Sequence, residues 1–155
     1  MFNIVLVEPE IPPNTGNIAR TCAVTGAKLH LIKPLGFSID DKHLKRAGLD
    51  YWHLVDVKVH NSLEEFLENH EDDNLFFATT KMGQKYSDAK YESNDYLLFG
   101  SETRGIDESV LKDNEDSCIT IPMLPTLRSL NLSNAVAIVL YEAWRQNDFS
   151  IKEVE

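Results

Sequence analysis

Short apolar runs bounded by turn residues recur along the chain. Phe2-Asn3-Ile4-Val5-Leu6-Val7, Leu29-His30-Leu31-Ile32, Leu75-Phe76-Phe77-Ala78-Thr79-Thr80, Tyr96-Leu97-Leu98-Phe99-Gly100 and the run opening at Cys118 read as buried strands. Tyr51 to Val59 is strand-like, with Val55, Val57 and Val59 alternating. Between these runs lie helix patterns. Asn14-Thr15-Gly16-Asn17 opens one, from Ile18 to about Thr25, stopped by Gly26, and Glu8 to Pro13 reads as a stiff loop before it. Asp40 or Asp41 can cap a short helix through Ala47, and Ser62-Leu63-Glu64-Glu65 is a capping box for one to about Asn69. Asp107 caps another through Leu111. The longest helical stripe is Leu132, Ala135, Val136, Val139, Leu140 and Ala143, widened by Ile138, Tyr141 and Trp144. A helix apolar nearly all round is buried on more than one side, within the chain or against another subunit. Continuous apolar strands alternating with helices predict an α/β fold, with a parallel sheet covered on both faces in an α/β/α sandwich. The whole chain, 1–155, reads as a single domain, with no repeat, linker or low-complexity tract.

Charge narrows the partners. The net charge is −10, which argues against non-specific nucleic-acid binding, since that rests on neutralising phosphates with Lys and Arg. It does not exclude a local basic patch on an acidic body, and Lys42-His43-Leu44-Lys45-Arg46 is locally basic. Cys22 and Cys118 are far apart and read as reduced buried thiols. The histidines form no ligand motif, so no metal is expected. No run approaches a membrane span and the N-terminus lacks a basic leader, so a cytoplasmic, non-membrane protein is expected.

Three loops carry the candidate chemistry, and each follows a predicted strand. The first, Asn14 to Arg20, places Asn14, Asn17 and Arg20 three apart, expected on one side of a helix mouth; an N-cap plus a solvated arginine is the bland alternative. The second, Phe99 to Gly105, has two glycines five apart, either a tight turn or a backbone that approaches a ligand. It is neither a dinucleotide fingerprint nor a phosphate-binding loop of the nucleoside triphosphate kind. The third, Ile121 to Asn131, is broken by Pro122 and Pro125 and offers hydroxyls, an amide and a guanidinium before the last helix, with Ser129, Asn131 and Ser133 as possible caps.

Taken together the loops resemble the three motifs of the SpoU/TrmH branch of the SPOUT RNA ribose 2′-O-methyltransferases. Asn14 to Arg20 is similar to the first, Leu98-Phe99-Gly100-Ser101-Glu102-Thr103-Arg104-Gly105-Ile106 to the second, and Ile121-Pro122-Met123 with Arg128 to Ala135 to the third. The resemblance covers nearly the whole chain. EPEIPPNTGNIAR at Glu8 to Arg20 and KRAGLDYW at Lys45 to Trp52 are similar to compact members acting on the tRNA wobble nucleotide. It implies a C-terminal trefoil knot, a homodimer, and S-adenosylmethionine as cofactor with S-adenosylhomocysteine as product. The implied activity is 2′-O-methylation of cytidine or uridine 34 of tRNA, in leucine isoacceptors. By resemblance the cofactor touches Ala78, Thr79, Gly100, Glu102, Ile121, Met123, Ser129 and Leu130. Arg20 is the implied catalytic residue, oriented with the ribose by Asn14, Glu102, Ser129 and Asn131. Lys42, Lys45, Arg46, Arg20 and Arg128 are the expected RNA contacts. A non-catalytic RNA- or protein-binding scaffold would not need Arg20, Glu102 and Asn131 together. A Rossmann-type small-molecule methyltransferase would need a glycine-rich loop after the first strand, where Glu8-Pro9-Glu10-Ile11-Pro12-Pro13 stands.

Overall fold

A computed structural model describes residues 1–48, 51–127 and 129–151. The order is β1 (Asn3–Val7), α1 (Pro12–Thr25), β2 (Lys28–Ile32), α2 (Lys42–Gly48), a 3-10 turn at Trp52–Leu54, β3 (Val57–His60), α3 (Leu63–Asn69), β4 (Leu75–Ala78), β5 (Gln84–Lys85), β6 (Tyr96–Phe99), α4 (Glu108–Asp113), a second 3-10 turn at Glu115–Ser117, β7 (Cys118–Thr120) and α5 (Leu132–Gln146). The seven strands form one sheet in the order β3-β2-β1-β6-β4-β7-β5, and every pairing is parallel.

Side chains alternate across this sheet with the period of two that a strand imposes. Ile4 and Leu6 of β1, Leu97 and Phe99 of β6, and Phe76 of β4 join one core, with Ile18 and Cys22 of α1 and Val136, Val139 and Leu140 of α5. Val5, Val7, Leu98 and Phe77 point to the other face, against Phe66 of α3 and Leu111 of α4. Both faces are therefore dry, which is why the strands read as continuous apolar runs and not as alternating ones.

The caps follow the expected chemistry. Ser62 Oγ accepts from Glu65 N at 3.1 Å, Asp107 Oδ1 from Ser109 N at 3.0 Å, and Asp41 Oδ1 from His43 N at 2.8 Å. Gly26 ends α1 at φ 76°, the left-handed conformation a helix stop favours. At the start of α5 the choice among three candidates falls on Asn131, whose Oδ1 accepts from Ser133 N at 2.9 Å.

Two expectations are corrected, and one strand is added. Helix α1 begins at Pro12, not Ile18. Proline costs nothing in a first helical turn, where its missing N–H would be unsatisfied anyway, and Asn14 and Thr15 already donate to the Ile11 carbonyl at 3.1 and 3.4 Å. The first half of Tyr51 to Val59 is not strand. Sheet pairing needs a neighbour, and β2 begins only at Lys28, so β3 starts at Val57 opposite Leu29 and the preceding residues close a 3-10 turn, Leu54 N to Tyr51 O at 2.9 Å. The short β5 was not foreseen: two polar residues, Gln84 and Lys85, pair with Ile119 and Thr120 at the sheet edge.

Candidate functional site

The strand order reverses between β1 and β6. The chain leaves β1 toward β2 on one side, while the strands after β6 lie on the other, so the loops beyond their carboxyl ends part and leave a crevice. The cleft there has a volume of about 490 Å³, within the range of small-ligand sites. The segments after β4, β6 and β7 build its rim, and the start of α5 closes it.

Ala78, Thr79, Gly100, Glu102, Ile121, Met123, Ser129 and Leu130 all line this cleft, and so do Asn14 and Asn131. The apolar wall is Phe99, Ile119, Ile121, Leu132 and Val139. The charged lining groups are Lys81, Glu102 and Arg104. Lys81 Nζ is 2.8 Å from Glu108 Oε1 with both side chains about half exposed, a geometry worth little stability, but it keeps the Glu108 carboxyl below its ordinary range.

A directed chain of hydrogen bonds ties the three loops together. Asn131 uses its oxygen on the α5 cap and donates Nδ2 to Asn14 Oδ1 at 3.1 Å. Asn14, buried in the first turn of α1, donates its own Nδ2 to Glu102 Oε2 at 3.4 Å. Glu102 also accepts from Glu10 N at 2.9 Å and Ile11 N at 2.6 Å. Both amides thus have their oxygens accepting and their nitrogens donating, and the chain ends on a carboxylate, which only accepts and so needs donors around it. Thr103 Oγ1 donates to Glu10 Oε1 at 2.6 Å, and this hydroxyl, more than any other contact, lowers the Glu10 carboxyl from its usual value.

The glycines of the second loop serve the turn. A Cβ on Gly100 would lie 2.1 Å from the Gly105 carbonyl carbon, and Gly105 has φ 68°. The turn closes through Gly105 N to Ser101 O at 3.0 Å. Gly100 is therefore required by the loop's own backbone, whatever occupies the cleft.

Arg20 stands apart from this network. Six residues along a helix of 3.6 per turn rotate the side chain by about 120° from Asn14. Asn14 turns inward while Asn17 and Arg20 are exposed, so the three do not share one side as the spacing suggested. The Arg20 guanidinium carbon lies 4.9 Å from the centre of the Tyr51 ring. Lys42 and Arg46 are exposed on α2, which packs on α1. Arg128 and the side chain of Lys45 lie outside the described residues.

Sequence reasoning missed Tyr86, Lys81, Arg104 and Thr103 at the cleft, and Tyr51 beside Arg20. Lys81 and Arg104 follow strand ends and were legible as such. Tyr86 arrives through the unforeseen β5, with no local signal. Among the described residues no group of three or more His, Cys, Asp or Glu is placed to hold a metal ion.

An all-parallel sheet with a cleft built by the loops after three strands defines an α/β protein whose crevice lies at the carboxyl edge, where open α/β sheets take their ligands. The chain belongs to the SpoU rRNA Methylase family, whose match runs over residues 1–141. A tRNA (cytidine(34)-2′-O)-methyltransferase of Yersinia pestis is 55% identical over 152 residues, 94% of each chain. A solved structure concerned with the 2-OH methylation of C/U34 on tRNA superposes with a TM-score of 0.91 at 45% identity, covering 97% of this chain and 98% of that one. AviRb from Streptomyces viridochromogenes, a SpoU methyltransferase solved in complex with AdoMet, has a TM-score of 0.84 at 24% identity over 94% of this chain and 57% of its own. The last likeness concerns the fold alone.

Proposed function

We propose that the protein transfers a methyl group from S-adenosylmethionine to the ribose 2′-hydroxyl of nucleotide 34, cytidine or uridine, of leucine tRNAs, releasing S-adenosylhomocysteine and, to solvent, the hydroxyl proton. The observation that carries this reading is the convergence of three separate loops on one cleft through Asn131, Asn14 and Glu102. The relatives' substrates point the same way.

The cleft suits the cofactor. Its apolar wall can take an adenine, and its polar rim of Thr79, Ser129 and backbone groups can take the sugar and the amino-acid end. When bound, the cofactor supplies an electrophilic methyl carbon, so the chain's own residues contribute position and charge. Glu102, Asn14 and Asn131 hold the three loops in register around that ligand. Ser129 lies exposed at the mouth, where it can orient the ribose. Arg20 is not a base, since a guanidinium does not lose its proton in proteins. Arg20 lies outside this chain's own cleft, on the exposed side of α1, so in a homodimer it would serve the cleft of the partner subunit, meeting the adjacent phosphate and the developing alkoxide there. No metal takes part.

We further infer a homodimer in the cytoplasm, with the segment from β7 to α5 threaded as a trefoil knot. The dimer is supported by apolar surface this chain leaves uncovered: Val24 of α1, Ile138 and Tyr141 of α5, and Leu124 and Leu127 before it are exposed. No helix of the described residues is long and apolar enough to cross a membrane. Since a dimer carries twice the −10 of one chain, tRNA must meet a local surface of Lys42, Lys45, Arg46, Arg20 and Arg128.

Transcripts of leucine tRNAs incubated with purified protein and methyl-labelled cofactor test the reading, followed by nucleoside mass spectrometry. Label is expected at the 2′-oxygen of nucleotide 34. Label on another nucleotide, or on a base, would overturn it.

A further inference from the structure

Arg20 is exposed on α1, and no carboxylate among the described residues forms an ion pair with it. A free arginine on a helix surface samples many rotamers, and ordering it at each encounter with RNA costs entropy. Something must hold the group that is asked to meet a phosphate. The contact the structure offers is the ring of Tyr51, 4.9 Å from the guanidinium carbon and inside the distance at which a cation is attracted by an aromatic face.

The ring is itself fixed. Tyr51 precedes the 3-10 turn at Trp52–Leu54, and its carbonyl accepts from Leu54 N at 2.9 Å. Trp52 and Val55 of the same segment pack into the core shared with α1, so the turn is anchored to the helix that carries Arg20. Tyr51 is half-buried, with its ring directed to that side chain.

The chemistry of the holder matters. A carboxylate clamp would use the same N–H fork that a phosphate needs, and the RNA would have to displace it. An aromatic face attracts the cation through its quadrupole and takes none of the five N–H donors. Arg20 is then ordered and still fully available.

We propose that Tyr51 is a positioning residue for Arg20, holding the guanidinium by a cation–π contact that leaves its N–H donors free for the phosphate and the developing alkoxide. This rests on the role given to Arg20 above. It assigns Tyr51 a part in the rate and none in the cofactor cleft, whose lining it does not join.

The test compares Tyr51→Leu, Tyr51→Phe and Arg20→Ala in the full-length protein, by steady-state kinetics on tRNA, calorimetric cofactor affinity and thermal unfolding. Leucine keeps apolar bulk but lacks the quadrupole, so Tyr51→Leu should lower kcat by about three- to thirtyfold. Cofactor Kd and Tm should stay unchanged. Tyr51→Phe should restore kcat to within about twofold of wild type, because the ring and not the hydroxyl is the holder. Wild-type kcat in Tyr51→Leu with Arg20→Ala inactive would overturn the proposal and spare the role of Arg20. Equal impairment in the Phe and Leu variants would also overturn it. Wild-type turnover in Arg20→Ala would instead remove the reading of Arg20. If the Leu variant unfolds, the wild-type NMR spectrum decides: stacking shifts the Arg20 side-chain protons upfield, and ordinary shifts there would refute the contact.

Discussion

Acid should loosen this protein through His30, as the pH falls below the ordinary histidine value of 6.5. His30 sits in β2 with 3% of its surface exposed. Its Nε2 is 3.2 Å from Asn3 Oδ1 and its Nδ1 is 2.9 Å from His60 Nε2. Asn3 Nδ2 already donates to the Asn94 carbonyl, so Asn3 Oδ1 must accept, and His30 carries its proton on Nε2. His60 then donates to the bare Nδ1. A second proton on His30 would face the Nε2–H of His60. Burial, the charges of His60 and His70, and Lys58 and Lys28 push its pKa from 6.5 down to about 3. His60 is lowered as well, by burial first and then by His70 and Lys58.

An unfolded His30 takes up its proton through pH 6.5, while the folded one resists until about pH 3. Its contribution to stability is therefore complete above the unfolded value and is lost as pH falls toward the folded one. At about pH 5 the mismatch costs about 2 kcal/mol. Asp95 acts in the opposite sense, because burial raises its carboxyl, and His60 acts in the same sense as His30, so a variant of His30 is needed to isolate its share. Urea unfolding at fixed protein concentration between about pH 7.5 and pH 5 should show that loss, and His30→Gln should reduce it, leaving the share of His60. A ring resonance of His30 titrating near its ordinary value would refute the reasoning.

Other outcomes follow from the cleft. Glu102→Gln places an amide nitrogen against N–H donors. Each lost charge-assisted bond costs about 1.5–3 kcal/mol when buried, and less at this half-exposed site, so both Tm and methyl transfer should fall. Wild-type values for both would remove Glu102 from the network. Gly100→Ala should displace the second loop, since its Cβ cannot sit 2.1 Å from the Gly105 backbone; calorimetry should show cofactor affinity reduced at least about tenfold, and unchanged affinity would show the loop can shift freely. Replacing Lys45 and Arg46 together with alanine should weaken tRNA binding and lower its salt slope by about two units if both touch phosphate, sparing cofactor binding; an unaltered slope would make α2 a solvated face.

The sequence alone determined whatever depends on near neighbours along the chain. Apolar runs marked β1, β2, β4, β6 and β7, because a strand dry on both faces must be continuously apolar. Ser62, Asp107 and Gly26 marked helix ends, because a cap is a contact across only a few residues. The motifs marked the loops, and Gly100, Glu102, Met123 and Ser129 do line one cleft. Tertiary structure decided what depends on partners far away in sequence. Where β3 begins is set by β2, which has no residue to pair with anything before Asp56. Strand β5 exists because Ile119 and Thr120 offer an edge to two polar residues that would otherwise be loop. Asn14 gave the appearance of a helix opener beside Arg20, but Glu102 and Asn131 draw it inward, and the helix turn carries Arg20 outward to Tyr51. His30 read as one polar residue in an apolar strand; only sheet pairing with β3 brings His60 to its ring and makes it titrate far from its ordinary range. Contacts of this kind join residues tens of positions apart, so no local pattern of hydrophobicity or spacing can carry them.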